Sequence, residues 1–507
     1  MDGTRHAILC YRHQSKRLVS SKIDPLEDKP KTYKSFTISA ALFAITLLCI
    51  QFYILIVKDV TALGSDEWHW IPIVQDSFEG EFSFQDYWKA HGGHRVFGYK
   101  ILFTLNAMFL GLDLRYFQFG GVLLWTLGAS IGAFWLNKKL SFGHGFFAIF
   151  AALMIITTMI SPHAWVNSDY SLIAWRFGNI LGFMLIFIFV DRLIYTDNHK
   201  KNFLCLSALL FIYTTVFGRG WGQAMLFSTL FFLTITALTY LKLKNFQKVR
   251  WISASITVGI LLLYIYNLGP EQLAAKAREP ISVKGFYKFT TGMMGNTLGF
   301  DFVGRRNFEN RDSVRLLGLF SISVYATACF LYLRSSLYKK TIFPLLIMCF
   351  STVAILAAYL GRGLSIGESA AYFPRWVGES CLGLAGAVAI LFHARHEGAN
   401  LMTSTSVKTM LNSALCLTCG LILTTHIIAI KNNFRTIEIV QKYDERKLKD
   451  LYSIPDIELE SPKTEAAKTL CRRKIRCRFR PFLDQHNLIP GNERYRPAID
   501  VARTDAS

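Results

Sequence analysis

The stretch that decides the fold is Ser35–Val57, "SFTISAALFAITLLCIQFYILIV", which holds 23 residues without a formal charge. About 20 apolar residues at 1.5 Å rise cross a hydrocarbon core about 30 Å thick. A polar segment, 1–34, precedes the run, which is too long for the core of a cleaved leader and reads as a signal anchor. The pattern then repeats, with further apolar runs near 117–136, 144–160, 177–195, 201–217, 223–241, 251–268, 314–333, 341–360, 376–393 and 408–430. The 507-residue chain is 52% hydrophobic and 14% aromatic, with a mean hydropathy of +0.31. A soluble chain of this length divides into domains with charge spread along each. Here the charges cluster between the apolar runs. The expected fold class is all-α: a polytopic integral membrane protein with about 11 transmembrane helices, or about 12 if Tyr99–Leu114 also crosses.

Charge placement sets the expected topology, because Lys and Arg gather in cytoplasmic loops. The N-terminal segment carries Arg5, Arg12, Lys16, Arg17, Lys22, Lys29, Lys31 and Lys34. Lys138/Lys139, Arg192/Lys200/Lys201, Lys242/Lys244/Lys248/Arg250, Arg334/Lys339/Lys340 and Arg395/Lys408 mark further basic connections. All share one side if "YKILFTLNAMFLGLDL", Tyr99–Leu114, lies in the interface without crossing. The expected organisation is then a cytoplasmic segment 1–34, a first span 35–57 and an extracytoplasmic first loop 58–116 with interfacial helices. A bundle over 117–430 follows, with extracytoplasmic loops 161–176, 269–313 and 361–375, and a polar tail 431–507 on the same outer side. Residues 58–98 hold seven acids against three bases, the reverse of the basic connections.

The formal charge of +21 follows from this topology, and no nucleic-acid-binding motif accompanies it, so nucleic acid is not an expected partner. Most of the ten cysteines sit in apolar runs, where Cys behaves as a small apolar residue. Cys416 and Cys419 form a CxxC without a second ligand pair, and only Cys471 and Cys477 lie in the polar tail. No P-loop or Rossmann glycine pattern is present, so a nucleotide-driven reaction is not indicated.

Three constellations could carry chemistry. Just past the first span, "SDEWHW", Ser65–Trp70, sets Asp66 and Glu67 among tryptophans. The loop continues "FSFQDYWKAHGGHRVFGYK", an aromatic amphipathic stretch that places His94 and Arg95 at the same water–lipid boundary. Carboxylates against apolar walls are suited to general-base work; the plain alternative is solvated acids beside an anchor. His69, His91 and His94 suggest a metal, but the glycines of "HGGHR" suit a turn better than a helical ligand pair, so no metal site is assigned. The second constellation is "LGRGLSIGESAAYFPRW", Leu360–Trp376, where Arg362 and Arg375 bracket Glu368 in a glycine-rich turn. Arg recognises phosphate bidentately and turn N–H groups add donors. "FGRGWGQ", Phe217–Gln223, repeats that chemistry around Arg219; the alternative for each Arg is snorkelling to headgroups. The third, "SPHAWVNSDYSLIAWRFGN", Ser161–Asn179, carries Asp169, Trp175 and Arg176. Aromatic faces beside hydrogen-bonding groups suit sugars, although Trp is also the usual interfacial anchor.

One long anchor, an acidic pair early in the first outer loop and many spans resemble the GT-C superfamily of membrane glycosyltransferases. "DEWHWIPIVQDSFEGEFSFQDYWKAHGGHRVFGYKIL" and "GRGLSIGESAAYFPRW" are similar to segments of the bacterial and phage-type serotype-converting O-antigen glucosyltransferases. The resemblance covers the architecture and these short motifs, and departs at Pro374-Arg375-Trp376, where related chains tend to show Ser-Arg-Tyr. It implies a hexosyltransferase of a bacterial inner membrane. Its sugar donor would be a polyprenyl phosphate, its acceptor a lipopolysaccharide O-antigen or related surface glycan, and its active site would face the periplasm. Asp66 would be the base and Glu67 would orient the acceptor or share the proton. Arg375 with Arg362 or Arg219 would hold the donor phosphate. His94, Arg95, Asp169, Trp175, Arg176 and Glu368 would contact substrate. No cofactor is required by the motifs, and a need for Mg2+ or Mn2+ is left open. The rival readings are a transporter or flippase for lipid-linked glycans, which would place ionisable pairs inside the spans, and a glycan polymerase or ligase.

Overall fold

A computed structural model of the chain describes residues 32–60, 63, 67–88, 97–169, 171–196, 198–216, 236, 250–251, 254–259, 281–303, 311–364, 367–372, 377–397, 405–452, 481–486 and 488. Among them helices and turns account for the regular structure, with no strand. Among the described residues, seven helices are long and apolar enough to cross a membrane: Lys34–Lys58, Arg115–Lys139, Gly145–Trp165, Arg311–Arg334, Phe343–Gly363, Val377–Glu397 and Lys408–Lys447. They contain the expected runs at 35–57, 117–136, 314–333 and 408–430, and match those at 144–160, 341–360 and 376–393 to within two residues at the start. The run at 177–195 is helical within Ser171–Tyr195, and the run at 201–217 is helical as far as Val216 in His199–Val216. Of the run at 223–241 only residue 236 is described, and of that at 251–268 only 251 and 254–259.

The chain forms α1 (Thr32–Lys58), then in the first loop α2 (Ile71–Phe78), α3 (Phe84–Trp88) and α4 (Phe97–Leu110). The bundle adds α5 (Arg115–Lys139), α6 (Gly145–Met159), α7 (Ser171–Tyr195), α8 (His199–Val216), α9 (Val283–Val303), α10 (Arg311–Arg334), α11 (Phe343–Ala358), α12 (Val377–Glu397) and α13 (Thr405–Arg435). α14 (Ile437–Tyr452) follows α13 directly. Apolar side chains on α1 point outward at Ile38, Leu42, Ile45, Tyr53 and Ile56, each more than half exposed. Such a stripe suits lipid rather than water. By contrast α12 is buried from Val377 to Ala394 and packs against α6, α10, α11 and α13. Small residues make that centre: a Cβ on Gly386 would stand 2.9 Å from the Pro344 carbonyl oxygen, and one on Gly383 2.0 Å from the Tyr325 hydroxyl.

The bundle has two chemically distinct ends. At one, buried Asp191 accepts from Trp135 Nε1 at 3.0 Å, Thr341 Oγ1 at 2.7 Å and the Ile342 amide at 2.8 Å, with Lys139 Nζ 3.4 Å away. The Ser141 amide donates to His393 Nδ1 at 3.1 Å, and Tyr195 donates to the Tyr338 carbonyl. These contacts gather Lys138, Lys139, Arg192, Lys339, Lys340 and Arg395 at a single basic end. At the other, Arg115 Nη1 meets Asp59 Oδ1 at 3.1 Å, so residues 60–114 leave and re-enter the bundle at the same end. The reversal is made by Gly111 and Leu112, both at φ +62°. The Leu112 amide closes onto the Asn106 carbonyl at 3.2 Å and its side chain is fully buried, which holds an unfavourable left-handed leucine in place.

Three connections differ from the sequence reading. Ser171 already begins α7, so Trp175 and Arg176 belong to a helix rather than to a loop over 161–176. Counting apolar residues finds the lipid-spanning part of a helix and misses its polar extension. The region 269–313 contains α9, whose Gly, Thr and Asn residues lower its apparent hydropathy while letting it approach α10 closely. The tail, from 431, is helical through Tyr452. Its later residues Phe482, Leu483 and Leu488 bury with Trp68, Trp70, Ile71, Val74, Tyr99 and Phe103 of the first loop.

Candidate functional site

Glu67 opens a short 3-10 turn, Glu67–Trp70, that runs on into α2. Trp70 seats this turn, meeting Tyr99 at 4.9 Å and Phe103 at 5.7 Å in edge-to-face contacts. Glu67 is thereby buried, at 3% exposure, while His69 faces out. α3 and α4 are tied on by Tyr87, which donates to Thr104 Oγ1 at 2.9 Å and lies 2.8 Å from Ser77 Oγ, and by Lys100 Nζ donating to the Asp86 carbonyl at 2.8 Å. One face of α4 buries Tyr99, Phe103 and Ala107, and the other shows Leu105, Met108 and Phe109 outward. That amphipathic pattern suits the membrane interface. Asp66, His91, His94 and Arg95 lie outside the described residues.

A second cluster forms where α9, α10 and the connection after α11 meet. Glu368, on the turn Glu368–Tyr372, accepts from Arg315 through Oε1, and its Oε2 lies 3.9 Å from Lys288 Nζ. The Tyr372 hydroxyl donates to Glu368 Oε1 at 3.3 Å. Burial first, and the Glu368 charge second, push the Tyr372 phenol up to about 12, so it stays a neutral donor at ordinary pH. The Arg311 guanidinium sits 5.6 Å over the Tyr372 ring, and Arg315 Nη1 also reaches Asp312 Oδ1 at 2.5 Å. Asn296 Nδ2 fixes the turn by donating to the Ala371 carbonyl at 2.8 Å. α11 ends in a π-turn, Tyr359–Gly363, that leaves Arg362 exposed. Among the described residues, Arg311, Arg315 and Lys288 gather around Glu368, Tyr372 and the 90% exposed Asp312. Guanidinium and ammonium groups clustered in this way suit an anion in type.

Of the sequence candidates, the structure places Glu67, Arg362 and Glu368 with their side chains. It places the backbone of Asp169, Trp175 and Arg176 on the 3-10 turn Pro162–Asp169 and on α7. Arg219 and Arg375 lie outside the described residues. Arg315, Arg311, Lys288 and Tyr372 were not singled out from sequence. One signal was available for two of them: Arg311 and Arg315 crowd a helix N-terminus, where the macrodipole disfavours cations.

Between these clusters the bundle holds buried polar groups. His163 and His426 bring their ring centroids within 5.4 Å, and Ser161 Oγ lies 3.4 Å from His426 Nε2. The Cys381 thiol is 3.9 Å from the Thr297 carbonyl, and Glu379 is 7% exposed nearby in sequence. For a divalent cation, Asp76, Glu79 and Glu81 each offer a carboxylate oxygen, all within 4.8 Å of one another. This hard-oxygen set suits Mg2+ or Mn2+ in type, but its solvent-facing position is also common for acids that hold no ion. No protein-family model, curated protein or solved structure matches the chain.

Proposed function

We propose that this membrane protein is a GT-C-type glycosyltransferase. It moves a hexose, glucose in the closest resemblance, from a polyprenyl-phosphate donor to a lipopolysaccharide O-antigen or related surface glycan at the periplasmic face of a bacterial inner membrane. The observation that carries the reading is the pairing of two features on the bundle end opposite the basic one. One is an acid-bearing first loop seated by its tryptophans; the other is the cationic cluster around Glu368. The basic end is then cytoplasmic.

In this reaction Asp66 takes the proton from an acceptor hydroxyl as that oxygen attacks the anomeric carbon. Glu67, buried on the same turn as Trp70, suits the role of orienting the acceptor or sharing the proton. The C–O bond to phosphate breaks and the electron pair leaves with the polyprenyl phosphate. Arg375, Arg362 or Arg219, joined by Arg315 and Lys288, meets the charge that grows on the leaving group, where preorganised cations act most strongly. The polyprenyl chain lies against the spans. Activation of the sugar occurs elsewhere, which agrees with the lack of a nucleotide-binding motif.

The test uses the purified full-length chain in lipid nanodiscs with radiolabelled polyprenyl-phosphate glucose or, in parallel, UDP-glucose. Transfer to surface glycan from the lipid donor alone is the expected result, with Arg315→Gln slower by about a hundredfold or more. Transfer from the nucleotide sugar, or from neither, contradicts the reading. A flippase or transporter is favoured by one observation, the buried His163–His426 pair, because ionisable groups inside a bundle commonly mark transport paths. Movement of a lipid-linked sugar across vesicles without transfer would select it.

A further inference from the structure

The first loop and the returning tail line a half-open cavity of about 400 Å³ to which none of the sugar-transfer roles above is assigned, with Glu79 of the acidic set in its wall. α2 contributes Gln75, Phe78 and Glu79; the tail contributes Phe482, Gln485 and His486. The three rings form a corner: Phe78 stands edge-on to Phe482 at 5.7 Å, and His486 tilts against both at 4.9 Å. Gln75 Nε2 donates to Glu79 Oε1 at 2.6 Å, so amide and carboxylate are already oriented. Phe482 and Leu483 anchor the tail in the first-loop cluster, while Gln485 and His486 stay exposed.

We propose that this cavity binds a neutral carbohydrate, as a distal subsite for the acceptor glycan. Aromatic faces take the C–H faces of a sugar ring, and amide and carboxylate groups take its hydroxyls. The volume falls in the range of small-ligand sites, about 300–1,000 Å³. Among the described residues no Lys or Arg lines the walls, unlike the cluster around Glu368. Along the 3-10 turn and α2, Gln75 and Phe78 stand roughly 15–20 Å from Glu67 at 1.5–2.0 Å rise per residue. The cavity therefore holds a sugar several units from the one that reacts. Binding of such a remote part of a substrate assists reaction at its far end. This inference rests on the glycosyltransferase reading.

The test compares de-lipidated oligosaccharides of one and of several repeat units from the host's surface polysaccharide, with the full-length protein in nanodiscs. Saturation-transfer NMR reads binding and product formation reads transfer. Wild type is expected to bind and use the longer chain better. The Gln75→Ala/Gln485→Ala double variant, altered only at partly or fully exposed side chains, is expected to bind the longer chain about tenfold more weakly and to lose the length preference. Equal affinities in wild type and double variant, or no binding to wild type, overturn the inference. Binding that depends on Gln75 and Gln485 without any sugar transfer would leave the cavity standing and remove the glycosyltransferase reading instead.

Discussion

At the scale of single residues, the positions that matter are those whose burial leaves a charge no other exit. Asp191 has no solvent exposure and joins α5, α7 and α11 through Trp135, Lys139, Thr341 and the Ile342 amide. Asp191→Ala removes one member of a buried ionic network, a loss that costs about 3–5 kcal/mol. A large fall in thermal midpoint in detergent is expected, and an unchanged midpoint would show that these contacts do not hold the basic end together. Asp66 and Glu67 could be nominated from sequence because their place is defined along the chain, a few residues after an unmistakable span. Glu368 was legible as a candidate but its pairing with Arg315 was not, because 53 positions separate them and Arg315 alone reads as an interfacial charge. What joins them is α9, which no hydropathy criterion finds.

At the scale of elements, close backbone approach organises the α9–α10 pair. A Cβ on Gly318 would stand 1.9 Å from the Thr291 carbonyl oxygen, and one on Gly295 1.8 Å from that of Val314. Lipid offers little hydrophobic drive between helices, so such small-residue contacts supply much of their association. Gly318→Val must push the two helices apart, with at least about 1–3 kcal/mol lost to overpacking. It should also dislodge Lys288 and Arg315 from Glu368. Gly420→Ala on α13, with nothing within 4 Å, is the matched control. Equal thermal midpoints for the two variants would contradict the close contact. The long spans were legible from charge-free length alone. α9 was not, since the glycines and hydroxyls that make it pack also dilute its apolar signal.

At the scale of the whole molecule, the two ends carry different chemistry, and Phe482, Leu483 and Leu488 of the tail pack on the first loop at one of them. Single cysteines placed at Lys339 and at Gln485 should label from opposite sides of a sealed membrane with an impermeant thiol reagent; labelling from one side would contradict the two-ended arrangement. Deleting residues 453–507 removes Phe482, Leu483 and Leu488 from the first-loop cluster. Each buried side chain of that kind is worth about 1.5–3 kcal/mol. Limited proteolysis should therefore cut residues 71–110 faster in the shortened chain, whereas an unaltered rate would mean the tail does not support the loop. The tail's return was not legible, because a contact between residues 78 and 482 leaves no periodicity in either segment.

The central claim is that the first-loop acids carry a sugar transfer. Its most direct measurement is the surface polysaccharide of cells expressing Asp66→Asn or Glu67→Gln, with each variant confirmed in the membrane. Loss of a glycosyl substituent at normal protein level, by about 10²–10⁴-fold in rate for the residue that moves the proton, is the predicted result. Modification equal to wild type in both variants would contradict the glycosyltransferase account.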